Sequence, residues 1–197
     1  MIQLSNHSRL EKLNKKMSAC SACALRSGCT QVVFGSGNPT VEILFIGEAP
    51  GKKEDETGTP FIGSSGRILD DRLASIHIER QDIYITNICK CRPPENRDPL
   101  PEEIAMCWPW LEKQIEIIQP KVIITLGKYA LNYFLPSAKI FEVHGQIIKI
   151  DIKKIGTINI FPLHHPAAAR QNRKTRALFN EDFQKIPKVL QKIKKNH

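Results

Sequence analysis

Cys20 and Cys23 form a C-x-x-C pair, and Cys91 and Cys107 follow much later with fifteen residues between them. A C-x-x-C pair in a loop can place two thiolates on one metal centre. Two further cysteines gathered by the fold complete four ligands. Zinc and a 4Fe-4S cluster both accept four thiolates, and the spacing does not choose between them. Cys29 and Cys89 are also present, and any of the six can instead be a small buried hydrophobe.

Four further segments carry polar groups suited to binding or catalysis. Gly47-Glu48-Ala49-Pro50-Gly51 reads as a tight turn whose backbone can approach a ligand closely. Glu48 on that turn offers a carboxylate able to hold a water; a solvated turn residue is the plainer reading. Phe61, between Gly58 and Gly63, is either a core plug or a platform on which a base stacks. Asn87 carries both a donor and an acceptor and can read the edge of a pyrimidine, although such residues also simply end strands. His164-His165-Pro166-Ala167-Ala168-Ala169-Arg170 supplies an imidazole able to polarise a carbonyl, followed by small residues that permit close approach.

These residues need elements to hold them. Short runs rich in Ile and Val at 41–46, 83–86, 121–126 and 157–161, each bounded by breakers, suit buried parallel strands. Residues 147–152 alternate less cleanly and suit an edge strand. Apolar residues recur at helical spacing over 8–19, 65–76, 101–118 and 180–194, with a shorter helix over 128–134. Pro101-Glu102-Glu103 makes a good first helical turn. The alternation predicts an α/β fold: a three-layer αβα sandwich around a mainly parallel sheet of about four strands, one domain over 1–197. Such sheets place their sites at the carboxyl ends of the strands, where Glu48, Asn87 and His165 fall.

The 197 residues include 29 Lys and Arg against 20 Asp and Glu, a formal net charge of +9 that favours a polyanionic partner. Residues 1–16 are interrupted by charges and lack the apolar core of a secretory leader. No apolar run approaches the ~20 residues of a spanning helix. The expected location is the cytoplasm, where thiols stay reduced and six cysteines point to metal or redox chemistry before disulfides.

Taken in order, the chain resembles the family 4 uracil-DNA glycosylases, the iron–sulfur branch of the uracil glycosylase superfamily, from Cys20 to about Pro187. The resemblance rests on the 47–51 turn with Glu54-Asp55, Pro60-Phe61-Ile62-Gly63, Tyr84-Ile85-Thr86-Asn87, the stretch from Lys90-Cys91-Arg92-Pro93-Pro94 to Asp98, and His165-Pro166-Ala167-Ala168. Each segment is common alone; all of them in this order are specific. The resemblance implies a 4Fe-4S cluster on Cys20, Cys23, Cys91 and Cys107, with Cys91 rather than Cys89 matching because it lies in the Lys-Cys-Arg-Pro-Pro segment. It implies that uracil is flipped out of DNA and hydrolysed from its sugar, leaving an abasic site for base excision repair. Phe61 would stack on the base, Asn87 would bond its N3–H and O4, and His165 would donate to O2. Gly47 and Ala49 would line the pocket, and Glu48 would position the water. Arg170 stands where relatives often carry an apolar wedge and would either fill the emptied gap or grip DNA phosphate, and Thr59 stands where relatives often have Arg. A monomer is expected.

Other readings use the same residues differently. A non-catalytic or covalent uracil-DNA-binding protein would keep the pocket, but the covalent type carries an inserted basic loop after the Pro-Phe-x-Gly segment, and 63–83 shows none. A DNA-binding redox sensor or a zinc protein would explain the charge and thiols and leave Asn87 and His165 without work.

Overall fold

The computed structural model describes residues 5–195. In chain order its strands are β1 (Ser36–Gly37), β2 (Ile43–Gly47), β3 (Tyr84–Asn87), β4 (Val122–Leu126), β5 (Ile148–Ile152) and β6 (Gly156–Leu163). The helices are α1 (Asn6–Met17), α2 (Leu25–Gly28), α3 (Lys52–Thr57), α4 (Ser64–Ala74), α5 (Pro101–Ile118), α6 (Lys128–Phe134), α7 (Ile140–Val143), α8 (Pro166–Gln171), α9 (Arg173–Phe183) and α10 (Ile186–Lys195).

The sheet runs β1-β3-β2-β4-β6-β5. The four central strands are parallel, and β1 and β5 pair antiparallel at the two edges. Every residue of β2, β3 and β4 is buried, as strands covered on both faces require. Alternate side chains feed two cores. Leu44, Ile46 and Ile123 pack with Leu13 and Met17 of α1 and with Leu111 and Ile115 of α5. Ile43, Phe45 and Ile124 pack with Leu69 of α4, Phe179 and Phe183 of α9, and Ile186 and Ile193 of α10. Two cores on opposite faces of one sheet make the expected αβα sandwich.

Two expectations need correction. The sheet has six strands rather than about four: the four buried runs are the parallel centre, 147–152 supplies edge strand β5, and a two-residue β1 closes the other edge. The expected helix over 180–194 is two helices broken at Gln184–Lys185. Pro187 sits in the first turn of α10, where its missing N–H is tolerated, and cannot continue an incoming helix. The apolar spacing runs through the break because α9 and α10 bury the same core face. Among the described residues, no helix is long and apolar enough to cross a membrane.

Candidate active site

Parallel strands deliver their carboxyl ends to one edge of the sheet. Gly47 ends β2 directly beside Asn87 at the end of β3. On the other side Leu126 pairs with Leu163, and Gly127 N–H donates to the Leu163 carbonyl at 2.8 Å. His165 follows two residues beyond β6. Glycine is required at two of these points. A Cβ on Gly47 would collide with Asn87 Oδ1 and the Phe61 ring, and Gly127 has φ +90° with His165 packed against it. The glycines therefore let Asn87, Phe61 and His165 close on one cleft, lined also by Ala49, Lys52, Lys53, Glu54, Arg67 and Asn96.

Phe61 is held in the left-handed region at φ 54°. For a bulky residue that strain is of the order of 1–3 kcal/mol and needs enforcement. Arg80 supplies it: Nη2 donates to the Phe61 carbonyl at 2.6 Å while Nε pairs with Asp70 at 2.5 Å. Glu54 Oε1 accepts from the N–H groups of Ile62 and Gly63 at 3.1 and 2.8 Å. The ring is buried, and its centroid stands 6.1 Å from that of His165.

Asn87 is 2% exposed, and its Oδ1 has no hydrogen-bond partner. A buried unpaired acceptor costs about 1–3 kcal/mol, which an incoming N–H donor would offset. His165 caps α8, its Nδ1 accepting from Ala167 N–H at 3.2 Å. That bond assigns the proton of the neutral ring to Nε2. Burial pushes the imidazole pKa down to about 4, so the ring is neutral at pH 7.

Glu48 is half-buried and lies outside the cleft wall, towards Asp98 and Lys128. Burial first, and the Asp98 carboxylate second, push its pKa up to about 7 against the opposing Lys128 charge. Arg170 is exposed on α8 and lines a neighbouring groove with Arg67, Arg72 and Arg176, beside Asp70 and Asp71, which meets the first cleft at Arg67.

Cys20, Cys23, Cys91 and Cys107 line one small enclosed cavity with Met17, Leu25, Val32 and Trp110, whereas Cys29 and Cys89 lie outside its wall. Trp110 Nε1 donates to Cys20 Sγ and Lys90 N–H to Cys107 Sγ, each at 3.2 Å. All six thiols are free. Among the described residues no three His, Cys, Asp or Glu side chains are grouped tightly enough for a single metal ion.

Several supporting residues carry no sequence signal of their role. Glu54 and Asp55 belong to the recognised segments, but only the fold shows what they hold. Asp55 is buried and accepts from Thr30 N–H at 3.0 and 3.1 Å, fixing the chain after Cys29. Glu103 accepts from Leu100 N–H at 2.8 Å and pairs with both terminal nitrogens of Arg97, fastening the loop between Cys91 and Cys107. Lys90 is buried among Thr86, Asn87 and Gln114. Only the pairing of Pro101 with Glu103 in the first turn of α5 hints at one of these anchors.

The parallel α/β sheet thus gathers an aromatic ring, an unpaired amide oxygen and a neutral imidazole into one cleft at the carboxyl ends of its strands. The family model described as the Uracil DNA glycosylase superfamily matches residues 34–191. The type-4 uracil-DNA glycosylase of Sulfurisphaera tokodaii is 43% identical over 184 residues, covering 90% of this chain and 83% of the relative. Those of Archaeoglobus fulgidus and Thermotoga maritima are each 41% identical, covering 90% and 93% of this chain and 91% and 95% of theirs. The chain belongs to the uracil DNA glycosylase superfamily, and within it to the type-4 uracil-DNA glycosylases.

Proposed function

We propose that this protein is a monofunctional uracil-DNA glycosylase, on the strength of one observation above the others: the buried, unpartnered Oδ1 of Asn87 beside Phe61 and a neutral His165. Extrusion of the nucleotide costs a few kcal/mol. In the cleft Phe61 stacks on the ring, Asn87 Oδ1 accepts from uracil N3–H, and its amide donates to O4. Cytosine offers an unprotonated N3 and an amino group at those positions, so both bonds would be lost. A site built on such bonds rejects the wrong partner by roughly 10⁴–10⁵.

As the glycosidic bond breaks, its electron pair leaves with uracil and the sugar becomes cationic. His165 Nε2–H donates to uracil O2 and stabilises the anion without transferring its proton. The backbone around Gly47 and Ala49 closes the pocket. Glu48, as its carboxylate, orients the water that attacks the sugar C1′ and takes up the proton that the water sheds. The product is an abasic site. Arg170, with its arginine neighbours, holds phosphate along the adjoining groove.

Cys20, Cys23, Cys91 and Cys107 would hold a 4Fe-4S cluster. Four thiols around an enclosed, largely apolar cavity fit a cluster, whose ligands stand farther apart than those of a lone ion, and N–H groups already point at two of the sulfurs. When bound, the cluster supplies a cross-link between the segment after α1, the loop after β3, and α5. The enzyme acts as one domain, a cytoplasmic monomer on uracil-containing DNA. The test is release of uracil from a labelled oligonucleotide carrying one uracil. Alkali-sensitive sites at that position are expected, and binding without release would refute catalysis. Purified protein should be yellow-brown.

A further inference from the structure

We propose that Lys90 is a positioning residue for base selection: its buried ammonium pins the backbone of Asn87 and so aims the carboxamide into the cleft. The inference rests on the base-reading role of Asn87 given above.

Lys90 is 1% exposed, which is rare for lysine. Its Nζ donates to Thr86 Oγ1 at 2.6 Å, to the Asn87 carbonyl at 2.7 Å and to Gln114 Oε1 at 2.7 Å. Three acceptors match the three protons of an ammonium; a neutral amine has only two to give. No carboxylate is among these partners. Neutral acceptors offset the desolvation of a buried cation only in part, and an apolar side chain of similar volume often serves a core as well or better. The value of Lys90 lies in what the three bonds fix.

They fix the end of β3. Thr86 Oγ1 also donates to the Phe34 carbonyl at 2.6 Å, and Gln114 Nε2 donates to the same carbonyl at 2.9 Å. The ammonium thus joins β3, α5 and the segment before β1. On the other side, Ile88 and Cys89 N–H groups bond the carbonyls of Gly47 and Glu48, each at 2.9 Å. The Asn87 side-chain oxygen has no protein partner, so its direction is set through the backbone that these bonds hold. Lys90 N–H donates to Cys107 Sγ, which places the same residue between the cysteine cavity and the base pocket.

The experiment is single-turnover uracil release by Lys90→Met in three backgrounds: wild type, Asn87→Ala and His165→Ala. Melting temperature and visible absorbance are recorded for each protein. In the wild-type and His165→Ala backgrounds the rate should fall roughly tenfold or more, as for a small misplacement of a reacting geometry. In Asn87→Ala it should fall by less than about twofold, because the group being aimed is gone. Equal losses in all three backgrounds, or no loss in wild type, would overturn the proposal. If Lys90→Met does not fold, Gln114→Leu removes one acceptor and should give the same pattern with a smaller loss; equal losses there would refute it too. Wild-type activity in Asn87→Ala would instead sink the base-reading role itself, which separates the two failures.

Discussion

The base cleft and the cysteine cavity lie only a few residues apart along the chain, yet they are built on opposite principles. The cleft keeps an acceptor unpaired at Asn87, a strained backbone at Phe61 and a histidine stripped of its charge. The unpaired oxygen and the strained backbone each cost stability in the free protein, and an N–H donor entering the cleft would offset the first. The cavity is lined mostly by apolar side chains and four thiols, two of which accept N–H hydrogen bonds from Trp110 and Lys90. One region leaves polar groups open to a cleft, while the other encloses its thiols.

The comparison makes variants separable by what they lose. His165→Ala should lower the rate of uracil release by about 10²–10³, the usual cost of removing one donor to a developing anion, with a fall in melting temperature of only a few degrees from the lost α8 cap. Cys91→Ser or Cys107→Ser should do the reverse in order of cause. Colour and melting temperature should fall first, and activity with them, while Cys29→Ser keeps the visible absorbance. Loss of colour in Cys29→Ser but not in Cys91→Ser would reassign the ligands.

The pH profile separates the two ionisable groups of the site. On its proposed role Glu48, with a pKa of about 7, acts as the carboxylate, so the rate should fall about tenfold per pH unit below 7 and level off above it. His165, at about 4, should add no inflection between pH 5 and 9. Glu48→Gln should flatten the profile; an unchanged inflection in that variant would remove Glu48 from the water-positioning role. The smallest effect is expected from Arg80→Met, which frees the Phe61 carbonyl. A severalfold loss of rate should appear, with a milder loss of stability because strain is released as contacts are lost. A larger fall in stability than in rate would make the arginine a structural clamp only.

The sequence carried much of this architecture. The periodicity of Pro101–Ile118 and Lys128–Phe134 marks both helices at their observed bounds, and the buried runs mark all four parallel strands. Strand β1 escapes because two residues hold no period, and the break between α9 and α10 is masked by their shared core face. Within the site, Phe61, Asn87 and His165 are visible as residue types at strand ends and loops, and the four cysteines as a spaced set. The anchors are not. Arg80 reaches Phe61 across nineteen residues, and a lysine such as Lys90 reads as solvated by default. Their roles come from tertiary approach, which no local pattern encodes.

The most direct test is a paired measurement on Asn87→Ala: uracil release from a single-uracil oligonucleotide, and thermal unfolding of the free protein. If Asn87 leaves its acceptor unpaired in order to read the base, release should collapse by at least about a hundredfold while the melting temperature stays the same or rises, since a buried unsatisfied oxygen is gone. A variant that unfolds at a clearly lower temperature and releases uracil in proportion to its folded fraction would show Asn87 to be a structural residue, and the account of the cleft would fail.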